Sequence, residues 1–325
     1  MSPGRTIGAL LAAVVVATVA SLCLGGRVFS PVEVGQALWS GDGSSHDQVI
    51  RDLRVPRTIV GLLVGAALGL SGALMQGLTR NPLADPGILG VNAGAALGVA
   101  LAITQWGIVR PGGQVWFALA GAALTTLVVA VIGRPRRSGG DVVTLTLSGV
   151  AVGAVLTGIT SGLVLLHPRA FDSMRSWNAG SLAVVGYDRV LAVAPFVVAG
   201  IVLALVLGRS INALALGDDT AQALGVRLVR TRVLALVAVT LLCGAATAAA
   251  GPIVFVGLMV PHIVAALIGP DHRRVMVCSL LAGPILLLGC DLLGRYVAQP
   301  RELPVGVVAA AVGAVLLAVV IRRRS

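Results

Sequence analysis

The chain has 325 residues, of which 57% are hydrophobic and 11% charged, with a net charge of +11 and a mean hydropathy of +0.98. Soluble domains carry about 25% charged residues, so the composition excludes a water-soluble fold and implies a chain whose surface faces lipid. Every basic residue is arginine, and without lysine the chain cannot build the phosphate-binding loop that sets a lysine on the β/γ-phosphates.

The arginines flank apolar runs and form no basic surface interleaved with aromatics, which argues for membrane topology and against nucleic acid. Cys23, Cys243, Cys278 and Cys290 are scattered through apolar stretches without ligand spacing. They read as small hydrophobes, and no metal site is expected.

A helix crossing the hydrocarbon core needs about 20 apolar residues. The first such run, 6–26, is longer than the roughly 7–15 residues of a signal-peptide core, and Leu22 stands where lipoprotein cleavage wants a small residue. It is read as an uncleaved first span. Runs at 58–79, 88–109, 115–133, 142–166 and 190–208 follow. Val233 to Pro270 holds no charged residue, and as one helix it would measure roughly 57 Å, nearly twice the membrane. Gly251-Pro252 supplies the turn that divides it into 233–250 and 254–269. The runs 275–293 and 304–321 complete ten spans.

The expected fold is therefore all-α and integral to the membrane, one polytopic domain over 1–325 with both termini on one side. Arg134–Arg137, Arg209, Arg227, Arg230, Arg232, Arg273-Arg274 and Arg322–Arg324 fall on that side, which makes it cytoplasmic, with His46 and Arg169 outside. Arg54-Val-Pro-Arg57-Thr58 opens the second span and Arg227-Leu-Val-Arg230-Thr231 the seventh. Five spans separate them, so the chain reads as two inverted pseudo-repeats.

Several stretches are too specific to be apolar filler. They are Gly65–Gln76 with its small residues, Arg80-Asn81-Pro82-Leu83-Ala84-Asp85-Pro86-Gly87, Trp177-Asn-Ala-Gly180-Ser181, and Leu214–Val226. Further on come Gly251-Pro252-Ile253-Val-Phe255-Val-Gly257-Leu258-Met-Val-Pro261-His262-Ile263, Asp291-Leu-Leu-Gly-Arg295 and Glu302-Leu-Pro304. Small residues let helix backbones approach in lipid. Asn81-Pro82 and Asp85-Pro86 break helix at membrane depth or its edge, where protein or a water-filled cavity must cover the backbone. His262 has no companion ligands and reads as a hydrogen-bonding group within a span. Trp177 and Gly180 fit either substrate contact or interfacial anchoring. Asp291 and Arg295 are an i,i+4 pair that eases placing either charge near lipid.

From Arg51 onward these motifs, in this order, resemble the permease family of iron-siderophore, haem and cobalamin importers of the ATP-binding-cassette type. After Pro261-His262-Ile263 the family often carries an arginine, where this chain reads Val264-Ala265-Ala266. The family's last span usually reads Gly-x-Pro-x-Phe, where this chain has Gly313-Ala-Val-Leu-Leu317. These departures suggest a divergent subfamily, or one member of a pair of unlike permeases.

The resemblance implies a non-enzymatic transport subunit in the bacterial cytoplasmic membrane, with no cofactor of its own. It implies a second permease subunit, an ATPase subunit dimer that holds ATP and magnesium, and an extracytoplasmic substrate-binding protein. It also implies a coupling segment at about 212–226, with Leu216, Gly217, Asp218, Ala221, Leu224 and Gly225 docking into the ATPase. Arg54, Arg57 and Arg295 are expected as a basic patch on the outer face that receives acidic residues of the binding protein. Asn81, Pro82, Asp85, Pro86, Trp177, Gly180, Pro261 and His262 are the candidate pathway or structural motif. Glu302 is expected to neutralise Arg301. The alternative, an ion-coupled secondary transporter, would need acids inside spans, and Asp291 alone approaches that description. The cargo is left open among siderophore, haem and cobalamin.

Overall fold

The structure, a computed structural model, describes residues 3–41, 43–133, 141–183, 186–299 and 301–322. Its helices in chain order are α1 (Pro3–Cys23), α2 (Pro31–Ser40), α3 (Ser45–Gln48), α4 (Val55–Thr79), α5 (Val91–Trp106), α6 (Pro111–Ile132), α7 (Asp141–Leu166) and α8 (Pro168–Asn178). Then follow α9 (Tyr187–Leu214), α10 (Asp218–Ala223), α11 (Leu228–Ala250), α12 (Val256–Ile268), α13 (His272–Val297) and α14 (Val305–Arg322). A π-helical turn, Val49–Arg54, runs into α4, and a 3-10 turn, Pro86–Leu89, precedes α5. Among the described residues there is no strand.

Each of the ten expected spans is a helix: α1, α4 to α7, α9 and α11 to α14. Seven are long and apolar enough to cross a membrane unaided. The apolar stretches Val91–Trp106, Val256–Ile268 and Val305–Ala318 are shorter. At 1.5 Å per residue α5 and α12 reach only about 24 and 20 Å, because non-helical backbone precedes each. Helix α5 begins at Val91, not 88, since Asp85-Pro86 starts the 3-10 turn and Gly90 ends it in the left-handed region. Helix α9 continues six residues past the expected 208, so it projects beyond the apolar run.

Helices α2, α3 and α8 were not expected. The signal for α2 was present: Ser30 Oγ accepts from the Glu33 N–H at 3.2 Å while Glu33 accepts from the Ser30 N–H at 2.6 Å. That reciprocal capping box, with proline at the first helical position, is readable as S-P-x-E. Arg134, Arg136, Arg137, Arg323 and Arg324, used above to orient the chain, lie outside the described residues.

Helix α4 forms the centre of the bundle, packed against α13, α11, α12 and α9. A Cβ at Gly65 would meet the Gly283-Pro284 backbone, and one at Gly72 would overlap the Gly257 carbonyl. The small-residue run therefore buys backbone-to-backbone packing where lipid supplies no hydrophobic drive between helices. Within α4's apolar window 78% of residues are buried, against 11% in α7. The first helix is core; the second turns most of its surface outward to lipid or another subunit.

Candidate functional site

Three places carry the expected residues. At the outer end of α4 and α13, Arg57 donates Nε and Nη2 to the Asp291 carboxylate at 3.0 and 2.8 Å, and Nη1 to Glu302 at 2.6 Å. Arg295 grips the same carboxylate through Nη2 at 2.6 Å and donates Nη1 to the Ser21 and Leu24 carbonyls at 2.8 Å each. Arg54 donates to the Leu22 and Arg27 carbonyls and lies over the Phe29 ring, 4.6 Å from its centroid. The last carbonyls of α1 have no intrahelical partner, and these guanidinium groups satisfy them at the negative end of the helix dipole.

Little of the expected basic patch is left accessible in this chain. Arg54 and Arg295 are buried and Arg57 nearly so, because α1's free carbonyls and Asp291 consume their donors. Glu302 pairs with Arg57, across the fold, and not with its neighbour Arg301 as expected.

The second place lies between the two broken segments. Asn81 Oδ1 accepts from the Leu83 N–H at 2.9 Å, and Asp85 Oδ1 from the Gly87 N–H at 2.8 Å, so each acid or amide closes its own turn. Pro86 is buried where it would touch a Cβ at Gly257. Pro261 sits inside α12 without an N–H to return to Gly257. At the other break, Gly180 takes φ +66; its carbonyl accepts from the Gly306 N–H at 2.9 Å while the Ser181 N–H donates to the Ala250 carbonyl at 2.7 Å. Trp177, half-buried, borders a pocket of about 310 Å³ on this side together with Gln114 and Arg189.

A cavity of about 410 Å³ runs between the breaks, lined by Gly87, Asn92, Gly153, Thr157, Thr160 and Asn178 among others. Asn92 was missed as a site residue. Its Oδ1 accepts from Thr247 Oγ1 at 2.8 Å, which ties the start of α5 to α11. His262 lines a separate cavity of about 600 Å³ with Gln76, Arg80 and His272, and Gln76 Nε2 donates to the Leu258 carbonyl at 3.0 Å.

The third place is the connector after α9. The start of the expected coupling segment is the end of α9 itself. Gly217 has φ +110, a conformation L side chains avoid, and turns the chain into α10. Asp218 is held by Arg80 from the end of α4 and by Arg232 at 2.7 Å from α11. Burial pushes its carboxyl upward, but hydrogen bonds and charge from the two arginines outweigh this and hold it below the usual value. Arg80 also donates Nε to the Leu214 carbonyl at 2.6 Å. Ala221 does not face outward as expected: it is fully buried, and its carbonyl accepts from the Val226 N–H at 2.9 Å. Of the expected coupling residues, Leu216, Leu224 and Gly225 are exposed, the two leucines by about two-thirds. Arg80 and Arg232 were missed because their partner is distant in sequence.

Comparison with known proteins agrees with this anatomy. The FecCD transport family matches residues 13–323. The ferric enterobactin transport system permease protein FepD of Escherichia coli (strain K12) is 47% identical, covering 97% of this chain and 94% of its own. The Fe(3+)-citrate import system permease protein YfmD of Bacillus subtilis (strain 168) is 43% identical over 90% of this chain and 87% of its own. A solved inward-facing metal-chelate type ABC transporter superposes with a TM-score of 0.85 at 28% identity, covering 99% of each chain.

Proposed function

The chain belongs to the FecCD transport family, and on that premise we propose that it is the permease subunit of an ATP-driven importer for a ferric chelate of the siderophore or citrate kind. The observation that carries the cargo class is the similarity, over nearly the whole chain, to permeases named for ferric enterobactin and ferric citrate. The chain supplies the membrane path and no catalysis. A second permease subunit covers the outward surface of α7, and the cavity between the broken segments lies on the path. ATP and magnesium are bound by a separate ATPase dimer, and a substrate-binding protein delivers cargo at the outer face.

The connector supports the ATPase contact. Leu216 and Leu224 are large apolar side chains exposed on the cytoplasmic side, and such residues in a helix–glycine–helix turn suit docking into a partner. An ion-coupled carrier is not favoured, since Asp291, the acid nearest a span interior, is taken up in ion pairs with two arginines. The test is radioiron uptake in cells lacking their own ferric-chelate permeases, with this chain, its partner permease, an ATPase subunit and a substrate-binding protein supplied. Uptake of ferric catecholate or citrate is expected, with loss in Leu224→Arg. Uptake that persists without any ATPase would overturn the reading.

A further inference from the structure

Beside the coupling connector an open groove is lined by Gln222, Val226, Arg227, Val229, Arg230 and Val233 among others. Its basic members differ from those next to them. Arg80 and Arg232 are engaged by Asp218, whereas Arg227 and Arg230 are exposed and make no ion pair or side-chain hydrogen bond among the described residues. Asp219, the other acid of α10, is not paired with them either. Their charges face outward, three residues apart and therefore on one side of the chain as it enters α11.

Above them the same face is aliphatic. Val229, Val233 and Val237 repeat at i, i+4 and i+8 and are 77%, 53% and 43% exposed. The groove therefore starts with two unpaired cations at the membrane border and continues as an apolar track into a span. A soluble subunit can meet the arginines but cannot follow the valines into the bilayer. A phospholipid has both parts in that order, an anionic headgroup and an acyl chain.

We propose that this groove is a binding site for an anionic phospholipid of the inner leaflet, its phosphate held by Arg227 and Arg230 and an acyl chain laid along Val229, Val233 and Val237. Planar guanidinium groups suit phosphate oxygens, and basic residues at the cytoplasmic membrane border attract anionic lipid. Because Gln222 and Val226 belong to the connector and Val233 to the span, one bound lipid bridges both. It steadies the angle at which α10 leaves α11. The site rests on the chain's spanning the membrane and not on the identity of its cargo.

The experiment uses the full-length chain in detergent, equilibrated with phosphatidylglycerol and phosphatidylcholine in equal amounts, with retained lipid read by native mass spectrometry. Wild type is expected to retain phosphatidylglycerol preferentially. Arg227→Gln with Arg230→Gln should lose at least roughly tenfold of that preference, while the paired Arg→Lys variant, which keeps the charge, should keep most of it. Equal retention of both lipids by wild type would overturn the proposal. So would an unchanged preference in the glutamine variant, including the case where that variant instead loses affinity for the ATPase subunit, which would assign the arginines to the protein contact.

Discussion

Among the described residues two carboxylates each bridge two arginines, one on either side of the membrane. Asp291 joins Arg57 to Arg295 at the outer face, and Asp218 joins Arg80 to Arg232 at the cytoplasmic face. The chemistry is the same and the surroundings are opposite. Asp291 is 1% exposed, and the arginines around it are spent on the carbonyls of α1; Asp218 is 35% exposed, beside a connector whose leucines point outward. Burial turns the outer bridge into a structural clasp between the first span and the core. Exposure leaves the inner one weak and adjustable, as the proposed coupling role of the connector requires.

The sharpest way to break this contrast is to remove each acid. Asp291→Ala leaves the buried Arg295 guanidinium without a counter-charge and Arg57 with Glu302 alone, and should destabilise the chain by about 3–5 kcal/mol. The expected result is little folded protein in a detergent thermal-shift or size-exclusion assay. Near wild-type recovery would show that the outer cluster is solvated and the contrast false. Next in size, Arg295→Met keeps the Arg57–Asp291 pair but orphans the Ser21 and Leu24 carbonyls. It should cost about 2–3 kcal/mol, with α1 becoming open to proteolysis before the rest of the bundle. Melting of the whole chain in one step, α1 protected until then, would argue that the clasp acts on the core alone.

The reach of sequence reasoning follows the same division. All ten spans were legible because twenty-residue apolar runs answer to one local rule, and Gly251-Pro252 divided the longest run correctly. The resemblance placed the motifs at the two broken segments and the connector. What escaped was partner choice. Nothing local says that Arg57 reaches Asp291 and Glu302 more than 230 residues away, or that Ala221 turns inward. A run of arginines beside a span looks the same in sequence whether it meets solvent or the carbonyl end of another helix. The capping box at Ser30–Glu33 is different: it was readable, and its helix α2 went unread.

The inner bridge should respond in activity more than in stability. Asp218→Asn removes two half-exposed ion pairs, each worth at most about 1 kcal/mol, so melting should change far less than in Asp291→Ala. With Arg80 and Arg232 released, α10 loses its tether to α4 and α11. ATP hydrolysis by the assembled complex should then continue while chelate uptake per ATP falls several-fold. A drop in melting temperature as large as that of Asp291→Ala would place the two bridges in one class.

The smallest effect is the most discriminating, because it needs no change to either bridge. A spin label at Leu224→Cys, with the four native cysteines replaced, reports the mobility of the connector. Salt screens exposed charges over about 8–10 Å at ordinary ionic strength and buried ones far less, so raising it should loosen the label modestly. A second label at Leu22→Cys, beside the outer clasp, should not respond. Acid gives the sign. The folded carboxyl of Asp218 is held below its usual 3.8 by Arg80 and Arg232, so its contribution is fully present above that value and is lost as pH falls through the lower, folded one. Mobility at residue 224 should stay flat from neutral pH down to about the ordinary carboxylate range and rise only beneath 3.8. A transition centred nearer neutrality would assign the connector's hold to a histidine such as His272, and the bridge at Asp218 would then be incidental to it.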